Sequence, residues 1–348
     1  MKRSSNPSAV GVAMSGGVDS TAAAALLLEQ GFSVHGFFMV LPLPGVEEQI
    51  RRVQHIADRL HIPLHLVELE KEFRQRVIAY FIAAYQQGLT PNPCVVCNRQ
   101  IKFGLLLKNM TAAGMDRIST GHYAAVCREQ GQPVLRRGAD PTKDQSYFLC
   151  RLSGEQLERI FFPLGDRHKQ DVFAQMQSMG FTHFQGGESQ DVCFLAESDL
   201  ASFLAEQGLE NSMGEIAAEE GRVLGRHQGI WKYTVGQRRG LGIPDATPWY
   251  VLRLDAAKNR VIVGKNEELF RQEVVLTDVQ WQIAPFSLPW QGRVQLRSRH
   301  KAAEAEVSSA ENNQWKVRFS EPQRAVTPGQ FAVFYLDDLV VGSGVIQA

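Results

Sequence analysis

Near the start of the chain, an apolar run leads into small and polar residues that could bind a phosphate. The run Ala9–Ala13 is followed by Met14 and then by Ser15, Gly16, Gly17, Val18, Asp19 and Ser20. The two glycines allow backbone N–H groups to converge on an oxyanion, and the serine hydroxyls add donors at the positive end of a helix. This pattern predicts an anion-binding loop between a strand and a helix.

The predicted loop differs from a kinase-type phosphate loop, which has Lys followed by Ser or Thr after its second glycine. Here Val18, Asp19 and Ser20 follow the second glycine, so a kinase or GTPase is disfavoured. The stretch resembles the PP-loop of ATP pyrophosphatases. That resemblance implies binding of ATP by its pyrophosphate, cleavage between the α and β phosphates, and adenylylation of a substrate oxygen.

Cysteines form the second group of residues that could do chemistry. Five cysteines without a secretory signal favour thiol or metal chemistry in a cytoplasmic protein over a disulfide scaffold. Cys94 and Cys97 lie in the segment Thr90–Asn98, whose two prolines predict that no regular helix begins before Arg99. The segment is therefore predicted to be a loop that projects its cysteines.

The elements that position these residues alternate between strand and helix patterns. The pattern predicts strands at 9–14, 33–39, 64–69 and 116–120, and helices at 18–30, 46–60 and 71–87. Such alternation predicts an α/β fold with a parallel sheet, whose ligands lie at the carboxyl ends of the strands.

The later part of the chain has a different sequence pattern, with frequent glycines and short apolar runs. Glycine-punctuated short strands are predicted from about residue 211, and β-rich alternation from about residue 272 predicts a small sandwich or barrel. The length of 348 residues and the 44% hydrophobic content fit several domains, which we place at residues 1–205, 206–270 and 271–348. No membrane contact is expected, and the 37 basic and 37 acidic residues neither demand nor exclude a nucleic acid.

Eight ordered motifs identify the chain as similar to tRNA 2-thiouridine synthases of the MnmA type over nearly its whole length. The motifs are Met14–Ser20, Thr90–Pro93, Cys97-Asn98 with Ile101–Phe103, Thr120–Tyr123, Lys143–Leu149, Cys193-Phe194, Gly236–Gly242 and Thr327–Gln330. The resemblance implies a PP-loop (adenine nucleotide alpha hydrolase-like) catalytic domain, a small central domain and a C-terminal β-barrel. It also implies sulfur insertion at C2 of the wobble uridine.

The same resemblance implies a set of residues around ATP, which activates the uridine C2 oxygen by adenylylation. These residues are Ala13, Met14, Ser15, Gly16, Gly17, Val18, Asp19, Ser20, Met39 and Gly121. Mg²⁺ is expected to offset the phosphate charge, with Asp19 either orienting the metal or acting as a first-turn carboxylate of the helix.

Two thiols occupy the positions that carry sulfur in the family. By resemblance, Cys193 holds a persulfide received from a donor protein, a cysteine desulfurase or a relay carrier. Cys97 then acts either as an acid that helps release sulfide or as a nucleophile that leaves a Cys97–Cys193 disulfide.

The resemblance also implies contacts with tRNA, through the anticodon loops of the Lys, Glu and Gln acceptors. Single-stranded loops are the readable part of RNA, and chemistry at C2 needs access to the base edge. The implied contacts are Asn92, Pro93 and Cys94 around the target base, with His122, Lys143, Asp144, Gln145, Gln330, Arg297 and Ser298. The family usually has Arg-Tyr where this chain has Arg297-Ser298.

Cys94 is a further departure, because the family often has Asp at this position. Three thiolates from Cys94, Cys97 and Cys193 could hold a [4Fe–4S] cluster whose fourth iron is open to sulfide. Persulfide chemistry with Cys94 lining the base pocket is the equal alternative, and zinc or a Cys94–Cys97 redox pair are others.

Two other classes of function remain open from the sequence. An amidating synthetase would use the same loop to adenylylate a substrate but would need neither paired cysteines nor an RNA-facing barrel. A non-catalytic RNA-binding protein would not need the intact Ser15–Ser20 loop. ATP–pyrophosphate exchange measured with and without tRNA distinguishes the three classes.

Overall fold

The computed structural model describes residues 8–181, 192–195, 199–285 and 287–347. The chain divides into two compact units. One combines Met1–Val77, Cys94–Phe194 and Asp338–Val341, and the other combines Ile78–Pro93, Leu195–Asp337 and Gly342–Ala348. Among the described residues, no helix combines the length and the apolarity that a bilayer crossing requires.

Strands and helices alternate along the first half of the chain. In order they are β1 (Ala9–Ala13), α1 (Val18–Glu29), β2 (Ser33–Val40), α2 (Val46–Leu60), β3 (Leu64–Glu68), α3 (Glu70–Phe73), a π-helical turn (Arg74–Ile78), α4 (Ala79–Gln86), α5 (Pro93–Cys97), a π-helical segment (Asn98–Leu106), α6 (Leu107–Ala112), β4 (Arg117–Thr120), β5 (Ala124–Glu129), β6 (Gln132–Arg137), α7 (Ser146–Leu149), α8 (Gly154–Arg159), β7 (Ile160–Phe161) and α9 (Lys169–Ser178). The predicted strands and first two helices are present, and a π-helical turn interrupts the predicted helix at 71–87.

The first unit is built on a five-stranded sheet in the order β3-β2-β1-β4-β7, with every neighbouring pair parallel. The three middle residues of β1 are buried, as expected of a strand covered by helices on both faces. Alanines and leucines of α1 pack against β1 in one apolar core with Val172 and Met176 of α9. The predicted α/β fold with a parallel sheet is confirmed.

The predicted loop around the cysteine pair is shorter than expected. Helix α5 begins at Pro93 rather than after Asn98, so Cys94 and Cys97 lie on a helix and not on a projecting loop. The prediction was wrong because proline is tolerated at the first helical position, where its missing N–H would have no partner in the helix. A nine-residue π-helical segment then continues the chain from Asn98.

The elements after residue 199 are mostly strands. They are α10 (Leu200–Glu206), β8 (Gly214–Ala218), β9 (Val223–His227), a 3₁₀ turn (Ile230–Lys232), β10 (Tyr250–Asp255), β11 (Arg260–Gly264), a second 3₁₀ turn (Asn266–Leu269), β12 (Phe270–Trp281), β13 (Trp290–Gln295), β14 (Ala303–Ser309), β15 (Trp315–Arg324), β16 (Phe331–Leu336) and β17 (Leu339–Ile346). The order β10-β11-β8-β9 forms a central sheet. Six strands in the order β12-β15-β14-β13-β16-β17 close through the β12–β17 pairing, which confirms the predicted barrel.

Candidate active site

The glycine-rich stretch forms a turn between β1 and α1. Gly16 has φ +79°, a left-handed conformation that glycine adopts without strain. The Ser20 hydroxyl donates to the Gly17 carbonyl at 3.0 Å and accepts from the Ser15 N–H at 3.2 Å. The turn is therefore held in shape by its own side chain.

The residues implied around ATP meet at the carboxyl edge of the sheet. Ala13, the last residue of β1, pairs with Phe37 of β2 and Thr120 of β4, and Met39 lies two residues farther along β2. A Cβ on Gly121 would lie 2.5 Å from the Asp19 carbonyl carbon and 2.6 Å from the Ser20 nitrogen. Only glycine allows the end of β4 to approach the first turn of α1 this closely.

The carboxylate of Asp19 is held by two side chains. The Lys169 ammonium group donates to its two oxygens at 2.6 and 2.8 Å, and the Tyr123 hydroxyl donates to Oδ1 at 2.9 Å. Both carboxylate oxygens therefore have protein donors, and the orientation of Mg²⁺ by Asp19 stays a prediction. The carboxylate is neutralised by an ammonium group of the protein itself.

The three thiols singled out from the sequence belong to the first unit and are free, with Cys193 exposed and Cys94 and Cys97 half-buried. Burial raises the pKa of Cys97 to about 12 and that of Cys94 to about 11. Desolvation also raises the pKa of Cys193. The Lys102 ammonium group opposes these increases at all three thiols. At neutral pH the thiols are therefore protonated.

The proposed iron–sulfur ligands do not form a ready metal site. Within residues 8–181, 192–195, 199–285 and 287–347, no group of three or more His, Cys, Asp or Glu side chains is arranged to hold a metal ion.

The side chain of His122 is subject to the charge of Lys102, the same ammonium group that acts on the three thiols. Its Nδ1 is 2.6 Å from the Thr120 hydroxyl, and its ring contacts those of Phe103 and Phe162 with centroids 5.9 Å apart in each case. Burial and the charge of Lys102 hold the pKa of His122 well below its ordinary value. His122 is therefore a neutral imidazole at physiological pH.

The predicted RNA-contact segment Lys143–Gln145 is fixed by its own side chains. Asp144 pairs with Arg137 at 2.6 Å and accepts from the N–H and hydroxyl of Ser146. Gln145 accepts from the Tyr123 N–H at 3.0 Å, and the Gln145 N–H donates to the Tyr123 carbonyl at 2.9 Å. Asp144 and Gln145 thus shape this segment.

In the second unit, Gln330 contacts the segment Thr90–Asn92, which precedes α5. The Gln330 amide group donates to the Thr90 carbonyl at 2.8 Å and to the Pro91 carbonyl at 3.2 Å. Asn92 and Pro93 are buried. Gln330 therefore supports the segment before α5, and Asn92 is buried in that segment.

The residues of the barrel predicted to contact tRNA differ in whether their side chains are bonded within the protein or exposed. Arg297 donates to the carbonyls of Ala325 and Val235 and to the Thr327 hydroxyl. Ser298 and Arg299 are exposed. Arg297 therefore stabilises its own unit, whereas Arg299 is exposed.

Sequence reasoning missed Lys169, Tyr123 as a partner of Asp19, and Lys102 as the charge beside the thiols. Lys169 is 150 residues from Asp19 and carried no motif of its own. The signals for the other two were present, because Tyr123 and Lys102 fall inside quoted motifs. Their roles depend on side-chain directions that spacing does not define.

Comparison with known proteins gives three consecutive family matches. Residues 8–197 match the tRNA methyl transferase HUP domain, residues 201–265 the tRNA methyl transferase PRC-barrel domain, and residues 271–346 the aminomethyltransferase beta-barrel domain. The parallel sheet, the glycine-rich turn and the closed barrel thus define a HUP-domain protein with two further β domains.

Relatives that match nearly the whole chain identify its family. The chain is 49% identical over 338 residues to the tRNA-specific 2-thiouridylase MnmA of Desulfotalea psychrophila, covering 97% of this chain and 98% of the relative. It is 45% identical to the protein of the same name from Syntrophotalea carbinolica, covering 96% and 97%. A solved 4-thiouridine synthetase–RNA complex with bound ATP is 19% identical with a TM-score of 0.35, covering 57% of this chain and 50% of that one. The chain belongs to the MnmA family of tRNA-specific 2-thiouridylases.

Proposed function

We propose that the protein is a tRNA-uridine 2-sulfurtransferase that uses ATP to thiolate the wobble uridine at C2. The observation that carries the proposal is the 49% identity to a tRNA-specific 2-thiouridylase across 97% of the chain. The glycine-rich turn Met14–Ser20, called the nucleotide turn below, is suited to the activation of the uridine by ATP. The cysteines of the first unit are suited to the transfer of sulfur.

In the first half-reaction, the uridine C2 oxygen attacks the α phosphate of ATP, and pyrophosphate leaves into the turn. Ala13 to Ser20, Met39 and Gly121 are assigned to ATP, because they gather at the carboxyl edge of the sheet. Backbone N–H groups at the start of α1 stabilise the leaving anion. Mg²⁺, when bound with ATP, supplies further neutralisation of the phosphate charge.

In the second half-reaction, Cys193 carries the sulfur and Cys97 releases it. The exposed Cys193 is accessible to a donor protein, whereas the half-buried Cys97 keeps its proton because its pKa is about 12. The Cys97 sulfur attacks the inner sulfur of the Cys193 persulfide and forms a disulfide, while its proton passes to the departing sulfide. Hydrosulfide then attacks C2 and displaces AMP. A thiol reductant returns the disulfide to two thiols.

The tRNA-facing residues are assigned at two levels. Cys94, His122 and Lys143 are proposed to contact tRNA directly, with Arg299 and Ser298 meeting its backbone. Asn92, Pro93, Asp144, Gln145, Gln330 and Arg297 are proposed to shape the surfaces around them, since their polar groups are buried or bonded within the protein. Phosphate contacts position an RNA, and base contacts specify it.

The partners of the reaction follow from its chemistry. We propose the anticodon loops of the Lys, Glu and Gln acceptor tRNAs as substrates and a cysteine desulfurase or relay carrier as the sulfur donor. We propose that the reaction takes place in the cytoplasm, where tRNA is present and thiols are kept reduced.

The test measures two products in the same reaction mixtures. Pyrophosphate exchange that depends on tRNA, together with 2-thiouridine detected by mass analysis of digested tRNA, would support the proposal. Exchange without tRNA would indicate an amidating synthetase. The absence of exchange alongside intact tRNA binding would indicate a non-catalytic RNA-binding protein.

A further inference from the structure

The nucleotide turn contains a carboxylate at the place where a polyphosphate is proposed to bind. Asp19 is the second residue of α1, and its backbone lies against Gly121 at the carboxyl edge of the sheet. An isolated carboxylate there would repel a triphosphate. The turn therefore requires a cation close to Asp19, and the structure contains one.

Lys169 is this cation. Its ammonium group contacts both Asp19 oxygens, and its side chain is 15% exposed, compared with 33% for Asp19. It also lies 5.6 Å from the centroid of the Tyr123 ring, whose hydroxyl donates to the same carboxylate. The contact is thus a bidentate, partly buried pair supported by a third group.

The backbone of Lys169 is anchored separately. Its N–H donates to the Asp140 carboxylate at 3.0 Å, and that carboxylate also accepts from the N–H and hydroxyl of Thr142. Downstream, Val172 and Met176 of α9 pack in the same core as α1. The start of α9 is therefore fixed both by Asp140 and by packing against α1.

We propose that Lys169 is a positioning residue of the nucleotide site: its ammonium group neutralises and orients Asp19 so that ATP can bind, and Asp140 positions Lys169. The inference rests on the proposed function, since it concerns the site assigned to ATP. Lys169 acts through Asp19 and is not assigned a contact with the phosphates.

The experiment measures the binding of MgATP by calorimetry, without tRNA or a sulfur donor. Lys169→Met leaves the Asp19 charge uncompensated, so we expect the affinity for MgATP to fall about tenfold. Lys169→Arg keeps the charge and should bind within about threefold of the wild type. Lys108→Met, an exposed lysine of α6, is the matched control and should bind as the wild type does.

The decisive comparison repeats the change in an Asp19→Asn background. If Lys169 acts by neutralising Asp19, Lys169→Met costs little there, and the double variant binds MgATP more tightly than Lys169→Met alone. A full loss in the Asp19→Asn background would overturn the proposal, because Lys169 would then act on the phosphates directly. Unchanged binding by Lys169→Met would also overturn it.

Folding and function are kept apart by two further measurements. Asp140→Asn removes the anchor but not the ammonium group, so we expect it to lower the affinity for MgATP less than Lys169→Met does. The second measurement is the unfolding midpoint of Lys169→Met in denaturant, which we expect to equal that of the wild type. A wild-type protein that binds MgATP but makes no 2-thiouridine would refute the proposed function and leave the Lys169 test valid.

Discussion

The nucleotide turn Met14–Ser20 and the two cysteines of α5, Cys94 and Cys97, belong to the same unit, but they differ in how far the protein has preorganised their side chains. In the turn, the side chains of Ser15, Asp19 and Ser20 already have protein partners. On α5, burial keeps Cys94 and Cys97 protonated, and Cys193 is exposed on a separate segment.

This difference indicates where each half-reaction is controlled. A preorganised anion site needs little rearrangement to stabilise a leaving pyrophosphate. Protonated thiols are weak nucleophiles, so in the proposed mechanism sulfur transfer waits until a persulfide is present to accept the Cys97 proton. The raised pKa values of Cys94 and Cys97 slow side reactions of these two thiols.

The largest expected effect comes from removing the side chains of the nucleotide turn. Ser15→Ala should lower tRNA-dependent pyrophosphate exchange by about 100-fold or more, because it removes a hydroxyl of a preorganised anion site. Asp19→Ala should do the same, because it removes the carboxylate that holds Lys169 and Tyr123 at the turn. Filter binding should show nearly unchanged tRNA affinity. A comparable loss of tRNA affinity would show that the two surfaces are not separate.

The thiol side of the comparison is tested by alkylation with iodoacetamide. With a pKa of about 12 instead of the ordinary 9.0, Cys97 has about 1,000-fold less thiolate, and its higher nucleophilicity recovers only part of this, leaving a rate roughly 30-fold below that of an ordinary thiol. The rate should increase about tenfold for each pH unit up to pH 11. Mass analysis of alkylated peptides measures it, and a plateau near pH 9 would contradict the raised pKa.

The close approach of Gly121 to α1 allows a test of whether the nucleotide turn is preorganised. Gly121→Ala places a Cβ 2.5 Å from the Asp19 carbonyl carbon, so α1 or β4 must move. We expect the kcat for exchange to fall about tenfold and stability to fall by about 1–3 kcal/mol in denaturant titration. Gly154→Ala, where no heavy atom lies within 4 Å of the added carbon, is the control. Equal behaviour of both variants would refute the steric argument.

The smallest effects concern the barrel, where two neighbouring arginines should respond differently. Arg299→Glu should weaken tRNA binding several-fold and reduce the salt slope by about 1, as expected of a phosphate contact. Arg297→Met should instead reduce the free energy of unfolding by about 1–3 kcal/mol, since it removes charged hydrogen bonds to Ala325 and Thr327. An unchanged salt slope in Arg299→Glu would mean that this surface does not contact RNA.

Local patterns predicted the elements of the first unit well. The apolar run before Met14 and the glycines after it define β1, its turn and α1, and the helix predicted near 46–60 is Val46–Leu60. Pro93 was misread because proline stops a helix in its interior but begins one equally well. The domain boundaries at 205 and 270 stay a prediction.

Side-chain partners were much harder to predict than elements. Asp19 was recognised as important, but its partner Lys169 is distant in sequence and meets it only because α1 and α9 pack together. Arg297 was interpreted as an RNA contact from its charge, although its donors are directed at backbone carbonyls of its own unit. Spacing along the chain defines neither kind of contact.

The most direct test of the account is Cys193→Ser, assayed for both half-reactions with one tRNA preparation. The account predicts tRNA-dependent pyrophosphate exchange within about threefold of the wild type, because the nucleotide turn is intact, and no 2-thiouridine, because a hydroxyl cannot carry a persulfide. Cys127→Ser is the control and should retain both activities. Wild-type 2-thiouridine formation by Cys193→Ser, or loss of pyrophosphate exchange, would contradict the division of labour between the two regions.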